Sequence, residues 1–159
     1  MSFLAKRNIS INWFFFNQLP ESLIENTSNY IILKYQKNVI GSAGGGAINY
    51  EINSEPLIID KQLLDYINSS YKYTEVLQVF GESMEPDIKD GSLVFVDKSK
   101  KDINEKDIFL VNINGEIFIK RINIKEDDFI LKSFNQNYID LKVENLIVIG
   151  KVKGVFYSI

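Results

Sequence analysis

From Glu75 to the end of the chain, apolar and polar residues alternate with a period close to two, and this restricts the fold more than any other feature. Successive side chains of a strand point to opposite faces, so a period of two describes strands and not the side of a helix. The runs that carry it are Glu75–Phe80, Ser92–Asp97, Asp107–Ile113, Glu116–Ile124, Asp128–Ser133, Ile139–Val143 and Leu146–Tyr157. Turn residues separate them. Asn114-Gly115 is the hairpin dipeptide that accepts positive φ at both central positions, and Asp127-Asp128 and Asn135-Gln136-Asn137 mark two further turns. Short strands at this spacing predict a mainly β domain, predominantly antiparallel and barrel-like.

Upstream of Glu75 the pattern changes. Ile48–Ile52 and Leu57–Ile59 also read as strands, and Asp60 is placed to cap a short helix that turns Leu63, Leu64 and Ile67 inward. Tyr30–Tyr35 is a short, apolar, β-prone piece. Between these lies Gly41-Ser42-Ala43-Gly44-Gly45-Gly46-Ala47, whose glycines deny it a stable helix or strand interior. It reads either as a flexible linker or as a protease-accessible segment whose small residues let backbone enter a narrow cleft. Residues 2–16 read as helical pieces with Ser10 as an N-cap, too short to fold alone. The expected organisation is a helical start over 1–20, a linker over 21–55 and the β domain over 56–159.

The chain has 159 residues and is 45% hydrophobic, enough for a substantial core. Its net charge of −3 argues against a basic face that holds nucleic acid, and Lys98-Ser99-Lys100-Lys101 reads as a solvated loop. The greasiest stretch, Trp13-Phe14-Phe15-Phe16, falls far short of the roughly 20 residues of a membrane helix. The start has no long apolar run of the kind a secretory signal carries. A soluble, cytoplasmic protein without membrane contact is therefore expected.

Two absences narrow the chemistry. With no cysteine there is no thiolate nucleophile and no disulfide, and with no histidine the Ser-His-Asp and Cys-His arrangements are excluded. A hydrolase built from this chain needs a lysine or a carboxylate as its base. Asp87, Asp90 and Glu126-Asp127-Asp128 read as acidic turns without a ligand cage, so no metal and no cofactor is expected.

One pair of stretches fits that requirement. The strand ending at Phe80 runs into Gly81-Glu82-Ser83, and a compact turn closed by Pro86 and Gly91 presents the Ser83 hydroxyl. Lys120 follows 37 positions on (120 − 83), in a strand where alternation sets it beside Phe118, Ile122 and Ile124. Arg121 shares the opposite face with Ile117, Ile119 and Asn123. A low dielectric disfavours the ammonium, so burial can turn a lysine into a base near neutral pH. Neutral Lys120 can take the Ser83 proton and pass it to a leaving amine, while the backbone N–H groups of Ser83 and Glu82 hold the oxyanion. The plain alternatives are an ordinary turn serine and a lysine that snorkels to water.

Gly81-Glu82-Ser83-Met84-Glu85-Pro86, Asp90-Gly91-Ser92-Leu93-Val94-Phe95-Val96 and Glu116-Ile117-Phe118-Ile119-Lys120-Arg121-Ile122 together resemble the LexA/CI-repressor family of self-cleaving serine–lysine peptidases. Leu131-Lys132-Ser133-Phe134-Asn135-Gln136-Asn137-Tyr138 and Val148-Ile149-Gly150-Lys151-Val152 continue the resemblance, which covers residues 75–159 and, more loosely, the chain from 40 onward. It implies a LexA/signal-peptidase-like β fold, with Ser83 as nucleophile, Lys120 as general base and Ala43-Gly44 as the bond cut. It further implies a homodimer and cleavage stimulated by a RecA–single-stranded-DNA filament. Residues 4–14 are similar to the closing helices of a phage CI-type helix-turn-helix domain, so 1–20 reads as its remnant, with DNA contacted only through a missing or upstream portion. The leading reading is thus the sensor fragment of a transcriptional repressor. The alternatives are a DNA-damage accessory protein resembling UmuD, whose trimmed product binds a translesion polymerase, and a non-cleaving dimerisation domain. Signal peptidases use a similar Gly-x-Ser-Met and Lys-Arg pair but need a membrane anchor.

Overall fold

The computed structural model describes residues 30–40, 54–126 and 128–158, with side chains from 37 to 40 set aside. The expected helical pieces and helix-turn-helix remnant within 1–20, the strand Ile48–Ile52, the glycine segment 41–47 and the turn residue Asp127 lie outside the described residues.

Nine strands form a single mixed sheet: β1 (Tyr30–Ile40), β2 (Ser54–Asp60), β3 (Thr74–Phe80), β4 (Leu93–Asp97), β5 (Ile108–Ile113), β6 (Glu116–Lys125), β7 (Asp128–Lys132), β8 (Leu141–Val143) and β9 (Ile147–Phe156). Their order across the sheet is β2-β1-β3-β4-β9-β5-β6-β7-β8. The antiparallel expectation holds for the pairs from β3 to β8, whereas β1 runs parallel to β3, with Lys34 opposite Glu75 and Ile40 opposite Phe80. β1 and the start of β2 thus fall in the range read as linker, and β1 is an inner strand of the sheet.

Local chemistry accounts for the ends of several elements. Asn114 (φ 52) and Gly115 (φ 92) make the β5–β6 turn, where positive φ at both positions matches the twist of the strands it joins. The Gly115 N–H donates to Asn112 Oδ1 at 2.9 Å. The one helix among the described residues, α1 (Lys61–Tyr66), starts at Asp60, whose carboxylate accepts from the Gln62 N–H at 2.8 Å. It turns Leu64 inward, with Leu63 and Ile67 packed alongside, as the spacing predicts. No helix among the described residues is long and apolar enough to cross a membrane.

Alternation along each strand sorts side chains into cores on both faces of the sheet. Leu77, Val94, Val96, Leu110, Ile117 and Ile119 pack on one face, joined by Met84 and Ile88 from the loop after β3. On the other, Phe109, Val111, Phe118, Ile122 and Leu131 form one cluster, and Leu33, Leu64, Val76 and Phe95 form another. β6 is therefore covered on both sides, and a long side chain at position 120 starts from inside a core.

Candidate active site

The loop between β3 and β4 begins at Gly81, whose φ of 110 is a conformation that side-chain-bearing residues rarely adopt. Its ends are tied together. The Gly81 N–H donates to Asp90 Oδ1 at 2.7 Å, the Gly91 N–H to the Val79 carbonyl at 2.9 Å, and the Val79 N–H to the Ser92 carbonyl at 2.9 Å. Met84 and Ile88 anchor the loop in the core. Ser83, between the tie and the anchor, is 1% exposed, and its Oγ has no hydrogen-bond partner among the described residues. Leaving a buried hydroxyl unpaired costs about 1–3 kcal/mol, so such a group calls for an explanation. Ser92 Oγ and Arg121 Nε are orphaned in the same way, so orphaning alone does not single out Ser83. Within the loop the Glu85 N–H donates to the Glu82 carbonyl at 3.1 Å, while the N–H groups of Glu82 and Ser83 meet no acceptor among the described residues.

Lys120 sits on β6 opposite Phe109 and is 6% exposed. Its Nζ donates to Ser133 Oγ at 2.7 Å and lies 5.7 Å from the centre of the Tyr138 ring. Burial lowers its pKa from 10.5 to about 8, against a smaller opposing pull from the Asp140 carboxylate. At pH 7 about 9% of such an amine is neutral, against ~0.03% for a solvated one. No hydrogen bond joins Lys120 to Ser83. Arg121 turns the other way, as alternation requires, and its guanidinium lies 3.9 Å from the centre of the Phe134 ring.

What links the two residues is the segment that follows β7. Ser133 takes the Lys120 amine, and two residues on, the Asn135 N–H donates to the Ser83 carbonyl at 3.1 Å and Asn135 Nδ2 to the Glu82 carbonyl at 3.0 Å. In the sequence Asn135 reads only as a turn residue, which its Oδ1 bears out by accepting from the Asn137 N–H, and Ser133 carries no reading beyond its place in the motif. A signal was available. Ile122 pairs with Leu131 and Arg121 with Lys132, so the next step of the same ladder sets Ser133 against Lys120.

The other candidates fall as follows. Ala43 and Gly44 lie outside the described residues, three positions past Ile40 in the case of Ala43 (43 − 40). Ile40 ends β1 opposite Phe80, and Ser83 is likewise three positions past Phe80 (83 − 80). Asp90 serves as the loop tie, and among the described residues no three His, Cys, Asp or Glu side chains gather as a metal site.

A family model described as Peptidase S24-like matches residues 38–153, a span that takes in the Ser83 loop, Lys120, Ser133 and Ala43-Gly44. The chain belongs to the S24-like peptidase family. It is also similar to the LexA repressor of Clostridium perfringens strain 13 / Type A, at 31% identity over 109 residues, which is 64% of this chain and 53% of that protein. The LexA repressor of Clostridium perfringens strain SM101 / Type A matches to the same extent. This S24-like chain spans about half the length of the curated relatives it matches.

Proposed function

We propose that the chain is the self-cleaving, dimerising part of a LexA/CI-type transcriptional repressor, and that it cuts its own Ala43–Gly44 bond with Ser83 and Lys120. The observation that carries this reading is a buried amine with a lowered pKa, partnered by a neutral hydroxyl and tied through residues 133–135 to the loop of a buried, unpartnered serine. Ser83 Oγ attacks the Ala43 carbonyl carbon as its proton passes to Lys120 Nζ. The resulting oxyanion is held by the backbone N–H groups of Ser83 and Glu82. The C–N bond to Gly44 then breaks, with Lys120 returning the proton to the Gly44 amine. A water, deprotonated by the same lysine, cleaves the Ala43 ester of Ser83 and regenerates the hydroxyl.

The register between β1 and β3 supports cutting within one chain. Both strands run the same way, and Ala43 and Ser83 each lie three residues beyond the Ile40–Phe80 pair. Three residues of extended chain reach about 10 Å, so the segment needs no second copy to approach the hydroxyl. The same proposal includes a homodimer, a RecA–single-stranded-DNA filament as stimulus and separation of a DNA-binding part, as the motif resemblance to the LexA/CI-repressor family implies.

The test is intact mass after incubation across pH, with and without activated RecA. The expected pieces are residues 1–43 and 44–159, forming faster as pH rises through about 8, because the neutral amine is the active form. Ser83→Ala and Lys120→Ala remain whole. Cutting of both variants at the parent rate sinks the dyad. A non-cleaving dimerisation domain is the second reading, favoured by the absence of a Ser83–Lys120 hydrogen bond, and an intact parent at every pH would select it.

A further inference from the structure

We propose that Ser133-Phe134-Asn135 is a positioning strap that sets the aim of the lysine and the attitude of the nucleophile loop at once. The inference rests on the serine–lysine reading above and assigns roles to residues that the reading leaves idle.

Ser133 acts on the amine. A lysine side chain has four rotatable bonds, and a base is useful only if its lone pair faces the proton it must take. A neutral amine carries two N–H bonds and one lone pair. By accepting one N–H at 2.7 Å, Ser133 Oγ halts rotation about the terminal bond and leaves the lone pair free. A hydroxyl does this for both protonation states, whereas a carboxylate in its place favours the ammonium and disables the base.

Asn135 acts on the loop. Its two donors hold consecutive carbonyls, those of Glu82 and Ser83. Peptide units are planar, so fixing the Glu82 carbonyl also fixes the direction of the Ser83 N–H, and fixing the Ser83 carbonyl fixes the Met84 N–H. The carboxamide is oriented by its own neighbours, since Asn135 Oδ1 accepts from the Asn137 N–H at 3.0 Å and so turns Nδ2 toward Glu82. Between the two contacts, the Phe134 ring lies against the Arg121 guanidinium and seats the strap on β6. Three consecutive residues thus touch Lys120, Arg121 and the backbone of Glu82 and Ser83.

Two readouts on the full chain test this: the rate of self-cleavage against pH, and the titration of the Lys120 amine by NMR, assigned through its loss in Lys120→Met. Ser133→Ala removes an acceptor that favours the ammonium, so the Lys120 midpoint moves to lower pH. The plateau rate nevertheless falls, by about 10–100-fold, because the amine is no longer aimed. Ser133→Thr restores both. Asn135→Ala lowers the plateau by about tenfold and leaves the midpoint in place. Should Ser133→Ala fail to fold, Ser133→Cys keeps the volume with a weaker acceptor and reads the same way. An unchanged or faster Ser133→Ala overturns the positioning role of Ser133, and an unchanged plateau in Asn135→Ala overturns that of Asn135. If the parent is never cut, the dyad reading falls, and the Lys120 midpoint in Ser133→Ala alone decides whether Ser133 governs the amine.

Discussion

Lys120 and Lys151 flank the same residue. Phe109 on β5 pairs with Lys120 on one side and with Lys151 of β9 on the other, so the two lysines occupy one row of the sheet. Their partners differ. Lys151 Nζ meets the Asp107 carboxylate at 2.6 Å, with both side chains about a quarter exposed (27% and 26%). Lys120 Nζ meets the Ser133 hydroxyl at 2.7 Å inside the core. The first is a structural cation in a half-solvated ion pair. The second has lost water without gaining a bonded carboxylate, and this separates a candidate base from a strut. The residue type says little; the charge of its partner and the depth of its burial decide.

The most damaging change is to make the Lys120 site like that of Lys151. Ser133→Asp sets a carboxylate beside Lys120 and raises its pKa by about 1–3 units. Self-cleavage at pH 7–8 is expected to drop by about 10–1,000-fold, the loss shrinking as the medium becomes more alkaline; a pH–rate profile by intact mass checks it. An unchanged profile would mean that the partner's charge does not set the base.

Lys120→Met is next, and it acts on stability in the favourable direction. The unfolded amine titrates near 10.5 and the folded one near 8. Between these values the unfolded chain holds more protons, so the parent gains stability as pH rises through the window, and below it the cost of burying the ammonium is present in full. The methionine variant should lack that slope and be more stable at pH 7 by roughly 1–3 kcal/mol, as read by urea unfolding at several pH values. Asp107→Asn, on the strut side, should cost only about 0–1 kcal/mol, because the pair is partly solvated, and should leave the cleavage midpoint where it was. The smallest effect is that of Asp140→Asn. Removing the charge that holds the Lys120 pKa up moves the midpoint of cleavage to lower pH, by an amount that diminishes with added salt.

Much of this was legible beforehand. The strands from β3 to β9 begin and end close to their expected bounds because Gly81, Asn114-Gly115 and, after β6, Glu126 with its positive φ of 57 punctuate a period-two pattern. The pairing of β1 was not legible. Tyr30–Tyr35 reads as a short piece, and its continuation through Lys37 and Asn38 to Ile40 depends on hydrogen bonds from β3, 40 residues away (80 − 40). The depth of Lys120 was legible only in part. Alternation set it beside Phe118 and Ile122, which are buried, and Ile124, which is 54% exposed because β6 outruns its core there. Ser83 and Lys120 stood out by residue type and neighbourhood. Ser133 and Asn135 did not, since their parts are played through hydrogen bonds to another element, and only the β6–β7 ladder brings them into view.

The placement of β1 changes what a cut at Ala43–Gly44 accomplishes. The strand lies upstream of that bond, yet it is an inner member of the sheet: Leu33 is buried, Tyr35 Oη donates to Gln78 Oε1 at 3.1 Å, and Gln36 Nε2 to Glu75 Oε2 at 3.4 Å. Hydrolysis would therefore leave a nicked molecule whose two pieces at first stay together through the pairing of β1 with β3. The slow event that silences the upstream half would then be the peeling of one parallel strand, a dissociation step with its own clock.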